Sequence, residues 1–374
     1  MNKEQEDLLL ILKSALWQDV RYASGIDKPC WDNIYKLAYE QCVVGNVADS
    51  FNVLSSEHCD MDGKLRWLGY VIKLEQKNRL QNESIGKLFE TLKDMGLSPV
   101  LMKGQAFAAN YPFPLHRQCG DIDVFFKKYD DCHKAVAWAE KIDKVAAESY
   151  YNKRERKHFS FFMDGNEIEL HYHLCLFENK ELQNRLQRII DDEFDNNEPC
   201  FVDIGGERIE TIPPTLSVLH QIIHISRHLL EAGVGLRQLC DLALYLDKYN
   251  SVIDKERLNA YLNELQLVTI AGSIGCILVD NLGLEEGRLP FKADKQYADF
   301  LLQEIFEGGN FGRKNVTYNV TYREGKNILQ RKMLSVFYFY KRCRKYKHLM
   351  PKEARSYFLN KISLNIKLMT KHHY

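Results

Sequence analysis

The stretch LMKGQAFAANYPFPLHRQCGDIDVFF, residues 101–126, holds the most specific pattern in the chain, a Lys-Gly turn followed by two alternating aspartates. Residues 98–102 form a short apolar run that predicts a strand, and Gly104 predicts a turn into a small helix ending near Asn110. The prolines that follow cannot continue a helix, and residues 120–126 predict a second strand. The stretch therefore predicts a strand-turn-helix-strand unit.

Two aspartates lie on one face of the second predicted strand. Side chains alternate across a strand, so Asp121 and Asp123 point to the same side while the intervening Ile122 points into the core. Adjacent carboxylates repel each other, and this repulsion raises at least one pKa unless a cation lies between them. The pair therefore indicates a hard divalent metal ion bound by oxygen.

The segment NEIELHYHL, residues 166–174, offers a third acidic ligand because its apolar and polar side chains alternate. Its polar face carries Glu167, Glu169, His171 and His173. If this strand lies beside the aspartate strand, Glu169 completes a cluster of three carboxylates that can hold two Mg²⁺ ions. Such a cluster supports phosphoryl or nucleotidyl transfer.

Turn and helix signals frame this unit on both sides. Asp164-Gly165 and Gly205-Gly206 predict two hairpins. A helix is predicted over residues 84–95, with Gly96 as its stop. Helical periodicity marks the chain up to about residue 85 and again from Thr215 onwards.

The Lys-Gly turn, the sequence R-x-x-G-D-I-D and the sequence I-E-L-H together resemble the uncharacterised bacterial nucleotidyltransferase family of the polymerase-beta-like superfamily. The matching positions are Lys103, Gly104, Arg117, Asp121, Asp123 and Glu169. The chain departs from the superfamily at Gly104-Gln105, where other members usually have Gly-Ser or Gly-Gly.

The resemblance implies an α+β fold: a polymerase-beta-like nucleotidyltransferase core, a small mixed sheet with helices, flanked by N-terminal and C-terminal helical regions. We predict an N-terminal helical region over residues 1–85, a catalytic core over 86–212 and a C-terminal helical domain over 213–374. The implied activity is Mg²⁺-dependent transfer of an NMP from an NTP to an unidentified acceptor hydroxyl, with release of pyrophosphate. The implied catalytic residues and metal ligands, for two Mg²⁺ ions with Mn²⁺ as an alternative, are Asp121, Asp123 and Glu169.

The glycine turn is the predicted triphosphate site. A strand, a tight turn and a helix N-terminus present backbone N–H groups and the positive end of a helix dipole, so we expect contacts from Lys103, Gly104 and Gln105. A plain structural turn is the alternative. Arg117 is expected at the mouth of the site, either neutralising phosphate charge or forming a salt bridge to one of the aspartates. His171 is expected to contact substrate or orient a carboxylate, with a purely structural histidine as the alternative.

Histidines recur at fourfold spacing in a later helical segment, at His220, His224 and His228. Zinc binding is disfavoured because the stripe contains no cysteine or acidic ligand. The resemblance implies a polar seam facing the catalytic cleft that contains His224, His228, Arg237 and Asp241. The alternative for the last two residues is a structural ion pair that joins two helices.

Composition bounds the partners. The chain has 374 residues with 51 basic and 51 acidic side chains, a balance that argues against nonspecific coating of nucleic acid. Ten cysteines without a C-x-x-C pair predict free thiols and a cytoplasmic location. No uncharged apolar segment approaches the roughly 20 residues of a membrane span. The basic, aromatic tail from Gln330 fits RNA or membrane binding as well as internal packing, so a nucleic-acid partner and the oligomeric state stay open.

Three more specific or alternative functions stay open beside transfer to an unidentified acceptor hydroxyl. The chain could be a toxin-antitoxin-type nucleotidyltransferase acting on tRNA or protein, or it could modify a sugar or antibiotic hydroxyl. A catalytically silent nucleotide-binding protein is the third, and retention of all three acids disfavours it. The glycine-rich segment 307–315 is not a phosphate loop, although Arg313 or Lys314 could approach a substrate.

Overall fold

The computed structural model describes residues 1–26, 28–54, 61–146, 158–310 and 328–370. The strands are β1 (Pro99–Leu101), β2 (Ile122–Phe126), β3 (His158–Met163), β4 (Asn166–His171), β5 (Cys200–Ile204) and β6 (Glu207–Thr211). They form one six-stranded mixed sheet in the order β3-β4-β2-β1-β6-β5. This sheet is the centre of the catalytic region that the sequence predicts.

Helices lie before, within and after the sheet region along the sequence. Those before and within the sheet region are α1 (Lys3–Trp17), α2 (Trp31–Glu40), α3 (Val44–Ala48), α4 (Met61–Asp94), α5 (Gln105–Ala108), α6 (Tyr129–Ile142) and α7 (Lys180–Asn196). Those after it are α8 (Pro214–Glu231), α9 (Leu236–Tyr249), α10 (Lys255–Glu264), α11 (Val268–Asp280), α12 (Ala298–Gly308), α13 (Ile328–Tyr346) and α14 (Pro351–Thr370). The predicted α+β class, a mixed sheet with flanking helices, is confirmed.

Two tight turns set the outer hairpins as predicted. Asp164 and Gly165 both have positive φ, +51° and +78°, which matches the twist of a two-residue hairpin between β3 and β4. Gly205 and Gly206 do the same between β5 and β6, with φ of +63° and +91°. Because a two-residue turn fixes the pairing register, the turn also fixes which side chains of β3 and β4 share a face.

The central strands align the acidic residues. β2 and β4 are parallel neighbours, and Asp123 pairs directly with Glu169. The condition that the Glu169 strand lies beside the aspartate strand is therefore met. Ile122 and Val124 belong to a core shared with α4 and α6, whereas Phe125 packs in the core of the C-terminal helices. Asp123 lies on the same face as Phe125, so the carboxylates face the C-terminal helices.

Helix α4 links the two halves of the protein. It runs without a break for 34 residues, so the prediction of a separate helix beginning at residue 84 is wrong at its start. The segment contains no proline to end a helix. Trp67 packs with the N-terminal helices, while Ile85 and Phe89 pack against the sheet. The predicted boundary at residue 85 falls inside this helix, and the division into three domains stays a prediction.

Across the described part of the chain, none of the helices has both the length and the apolar character that a membrane crossing requires.

Candidate active site

Three carboxylates meet on the sheet face turned towards the C-terminal helices. Asp123 lies in β2 opposite Glu169 in β4, and Asp121 immediately precedes β2. One oxygen from each carboxylate lies within 4.8 Å of the other two. The structure thus brings together the D-x-D pair and the more distant glutamate that the sequence singles out.

Lys103 and His171 both contact the central aspartate. Nζ of Lys103 lies 2.9 Å from Oδ1 of Asp123. Nε2 of His171 lies 2.9 Å from the same oxygen and 3.2 Å from Oε2 of Glu169. Asp123 is 1% exposed, and its Oδ2 has no hydrogen-bond partner among the residues that the structure describes. A buried carboxylate oxygen without a donor fits a cation as its partner.

The charges in this cluster shift one another. The Asp123 carboxylate, and then burial, raise the pKa of Asp121. Burial alone would raise the pKa of Asp123, but the Lys103 ammonium and the His171 imidazole hold that pKa well below its usual range. Burial would likewise lower the pKa of Lys103, but the carboxylates outweigh it and raise this pKa. One ammonium faces three acidic groups, so the cluster fits an additional divalent cation.

At the turn into α5, Gly104 lies beside the carboxylates, whereas the side chain of Gln105 points away from them. Gly104 has φ +66° and ψ −113°, a combination that residues with a side chain rarely adopt. Helix α5 has only four residues, so its dipole adds little to the predicted triphosphate site. The Gln105 side chain donates to Oε1 of Gln81 in α4 at 2.8 Å and borders a separate cleft next to the β5–β6 hairpin. Of these two residues, only Gly104 lies next to the carboxylates.

A cavity of about 410 Å³ lies between the carboxylates and the C-terminal helices. Its volume falls in the range of roughly 300–1,000 Å³ that is usual for small-molecule sites. One wall contains Lys103, Gly104 and the three acids. Helices α8 and α9 form the opposite wall with His220, Gln221, His224, His228, Arg237 and Gln238.

The histidine stripe of α8 faces this cavity. Nε2 of His224 lies 2.9 Å from Nε2 of His228. Burial, assisted by the charge of Lys103, lowers the pKa of His220 to about 3 and that of His228 to about 4. Burial and the neighbouring His228 also lower the pKa of His224 well below its ordinary value. The stripe is therefore neutral at pH 7 and offers hydrogen-bonding nitrogens instead of positive charge.

Arg117 forms a buried ion pair with Asp241. Its Nε and Nη2 lie 2.7 Å and 2.6 Å from the two carboxylate oxygens, and the hydroxyl of Tyr111 donates to one of them at 2.7 Å. The predicted salt bridge from Arg117 to an aspartate of the D-x-D pair is therefore wrong, because a different carboxylate holds this guanidinium. Arg117 still borders the cavity, and its pair ties the loop before β2 to α9.

Arg237 does not form the structural ion pair with Asp241 that the sequence analysis gave as an alternative. Arg237 and Asp241 lie one turn apart on the same helix, α9, so they cannot join two helices. Nη1 of Arg237 donates to the carbonyl of Gln118 at 2.7 Å. Its Nε is buried and lacks a partner within the described ranges of the chain. Arg237 therefore presents a cationic N–H at the cavity wall.

Two site residues escaped the sequence analysis. Gln221 is 4% exposed, lines the cavity, and neither atom of its amide is paired within the described structure. It follows His220 on the cavity face of α8, so the helical period of the histidine stripe was the available signal. His158 lies opposite His171 in the β3–β4 hairpin, and the turn at Asp164 was the signal for that register.

Arg313 and Lys314, named from the sequence as residues that could approach a substrate, lie outside the described residues.

Comparison with known proteins agrees with the geometry of the site. Residues 27–282 match a family described as uncharacterised nucleotidyltransferase, and this range contains the carboxylates, the Lys103 turn and both cavity helices. No curated protein and no solved structure matches the chain. Because the matched range covers more than half of the 374 residues, the chain belongs to this nucleotidyltransferase family.

Proposed function

We propose that this protein is a Mg²⁺-dependent nucleotidyltransferase of the polymerase-beta-like superfamily. It transfers an NMP from an NTP to an acceptor hydroxyl and releases pyrophosphate. The observation that carries the proposal is the meeting of Asp121, Asp123 and Glu169 at one end of a 410 Å³ cavity. The buried Oδ2 of Asp123, which has no hydrogen-bond partner among the described residues, supports a divalent cation at these acids.

The acids would hold Mg²⁺, or Mn²⁺ in its place. When bound, two such ions lower the pKa of the acceptor hydroxyl and neutralise charge on the attacking and leaving oxygens. Asp123 presents its carboxylate from the start of β2, Asp121 from the residue just before that strand, and Glu169 from the neighbouring strand β4. By analogy with the superfamily that the sequence resembles, we assign Glu169 to the acceptor side, where one of its Oε atoms would take the hydroxyl proton.

The remaining polar groups position the substrates. The Lys103 ammonium lies at the D-x-D pair and is placed to contact phosphate oxygens. Across the cavity, Arg237 offers an N–H with positive charge for a second phosphate contact. Gln221 and the neutral nitrogen Nδ1 of His220 supply hydrogen bonds to an uncharged part of the nucleotide or acceptor. His171 orients Asp123 and Glu169 through its bonds to both.

The proposal is tested by incubating the purified protein with each α-labelled NTP and Mg²⁺, with tRNA, protein and sugars as acceptors. We expect label transfer or metal-dependent NTP binding by the wild type. Asp123→Asn should lower the rate on the order of a thousandfold, which corresponds to about 4 kcal/mol of transition-state stabilisation. The control Glu167→Gln removes an exposed charge two positions from Glu169 in the same strand and should leave the rate unchanged.

The outcomes separate the competing functions. Transfer to tRNA or protein would indicate a toxin-antitoxin-type enzyme, and transfer to a sugar or antibiotic would indicate small-molecule modification. Metal-dependent NTP binding without transfer would indicate a catalytically silent member of the fold. Absence of transfer, hydrolysis and NTP binding in the wild type would contradict the proposal.

A further inference from the structure

Two histidines from adjoining strands contact Glu169, and one of them, His171, also contacts Asp123. His158 pairs with His171 across the β3–β4 hairpin, and Glu169 pairs with Ser160 in the next row. Directly paired residues of an antiparallel hairpin share a face, so both imidazoles lie on the face that carries the carboxylates. The hairpin therefore adds two nitrogen ligands to a glutamate that already belongs to an acidic cluster.

The distances between these side chains match those of a metal site. Nε2 of His158 lies 3.2 Å from Oε1 of Glu169, and Nε2 of His171 lies 3.2 Å from Oε2. One ligand atom from each of the three residues lies within 4.8 Å of the other two. Ligands bound at about 2.1 Å in tetrahedral geometry lie about 3.4 Å apart, so only small movements are needed to place an ion between them. The ion would take the place of the hydrogen bonds that Nε2 of His171 makes to Asp123 and Glu169.

The cluster is also accessible. The His158 side chain is 34% exposed, whereas Glu169 and His171 are 16% and 14% exposed. An ion can reach the three residues past His158 without entering the cavity, since neither histidine belongs to the cavity wall. Three protein ligands that leave further coordination positions open are typical of an exchangeable or catalytic ion.

The chemistry of this ligand set differs from that of the three acids. Oxygen-only sites suit Mg²⁺, whereas imidazole nitrogen binds first-row transition metals and has little affinity for Mg²⁺. We propose that His158, Glu169 and His171 form a second metal position, selective for a transition-metal ion such as Zn²⁺. Glu169 then lies between this position and the oxygen site formed with Asp121 and Asp123.

The experiment measures metal binding in the absence of nucleotide, so its outcome does not depend on the proposed transferase activity. Zn²⁺ binding is followed by equilibrium dialysis, and Co²⁺ binding by its visible absorption, which reports coordination geometry directly. We expect the wild type to bind one transition-metal ion in the presence of excess Mg²⁺. His158→Ala should weaken this binding at least about tenfold, because it removes one of three ligands.

The controls separate this site from the carboxylate cluster. His133→Ala removes an exposed histidine of α6 outside the cluster and should bind Zn²⁺ and Co²⁺ like the wild type. Asp121→Asn should retain the histidine-dependent ion while losing nucleotidyl transfer, so failure of one proposal is distinguishable from failure of the other. Circular dichroism of His158→Ala checks that the edge strand still folds. Equal Zn²⁺ binding by the His158 and His133 variants would overturn the inference. Complete displacement of the transition-metal ion from the wild type by Mg²⁺ would overturn it as well.

Discussion

The buried ion pair between Arg117 and Asp241 gives the clearest stability prediction. The two side chains are 5% and 4% exposed, and two short hydrogen bonds join them. Burial alone would lower the pKa of Arg117, but Asp241 raises it well above its usual value, so the guanidinium stays charged. Asp241→Asn keeps the shape of the side chain but removes the charge. The variant therefore leaves a buried cation without its partner.

Loss of one member of a buried ion pair costs about 3–5 kcal/mol, a large part of the 5–15 kcal/mol that usually stabilises a folded protein. Urea unfolding, followed by tryptophan fluorescence and circular dichroism together, measures this change. The matched control is Asp247→Asn on the same helix, because Asp247 forms a 3.4 Å pair with Arg288 in which both side chains are more than 40% exposed. We expect the control to lose less than about 1 kcal/mol.

A double variant tests whether stability requires the ion pair itself or only the absence of an unpaired buried charge. Replacing both charges, with Arg117→Met and Asp241→Leu, removes the unpaired charge and should recover most of the lost stability. If Asp241→Asn unfolds at the urea concentration of the wild type, the pair does not stabilise the fold. Arg117 would then be available to neutralise phosphate charge, which is one of the two roles expected from the sequence.

Two further predictions concern backbone shape and pH. Gly104→Ala should destabilise the protein by about 1–3 kcal/mol, because the alanine would have to adopt the positive φ of this position. The control Gly120→Ala has nothing near the added methyl group and should leave the thermal unfolding midpoint unchanged. Equal shifts of the midpoint in the two variants would contradict the strained turn. Burial lowers the pKa of His220 to about 3 and of His228 to about 4, below the 6.5 of an unfolded histidine. The unfolded chain therefore binds protons that the folded chain excludes. The free energy of unfolding should fall as the pH falls from about 6.5 towards 4, by about 1.4 kcal/mol per pH unit for each histidine. Urea unfolding at pH 7.5 and pH 5 measures this loss of unfolding free energy. If the unfolding free energy of His228→Asn falls with pH as steeply as that of the wild type, the prediction is contradicted.

The sequence predicted what depends on local chemistry. Asp164-Gly165 and Gly205-Gly206 can take the positive φ of a two-residue hairpin, so the turns, and with them the strand registers, followed from adjacent residues. Strict alternation placed Glu169 on the polar face of β4, and the resemblance matched it to the third carboxylate of the family. These features involve few residues and short separations, and for that reason they were accessible before the fold was known.

Long-range pairing was not accessible in the same way. Arg117 and Asp241 are 124 positions apart, and their pairing depends on where α9 packs against the loop before β2. Arg237 is the nearer partner for Asp241 along the chain, but it turns to the carbonyl of Gln118 instead. Gln221 was missed because its only sequence signal was its helical spacing to the histidine stripe, and an uncharged amide indicates no role until the cavity beside it is seen.

The central claim is that three carboxylates hold divalent ions beside a nucleotide cavity. Calorimetric titration of a non-hydrolysable NTP analogue into the protein, with Mg²⁺ and with EDTA, tests it most directly. We predict binding that requires the divalent ion and that Glu169→Gln weakens at least about tenfold, while Glu167→Gln has no effect. Nucleotide binding that is equally strong in EDTA, or that Glu169→Gln leaves unchanged, would contradict the claim.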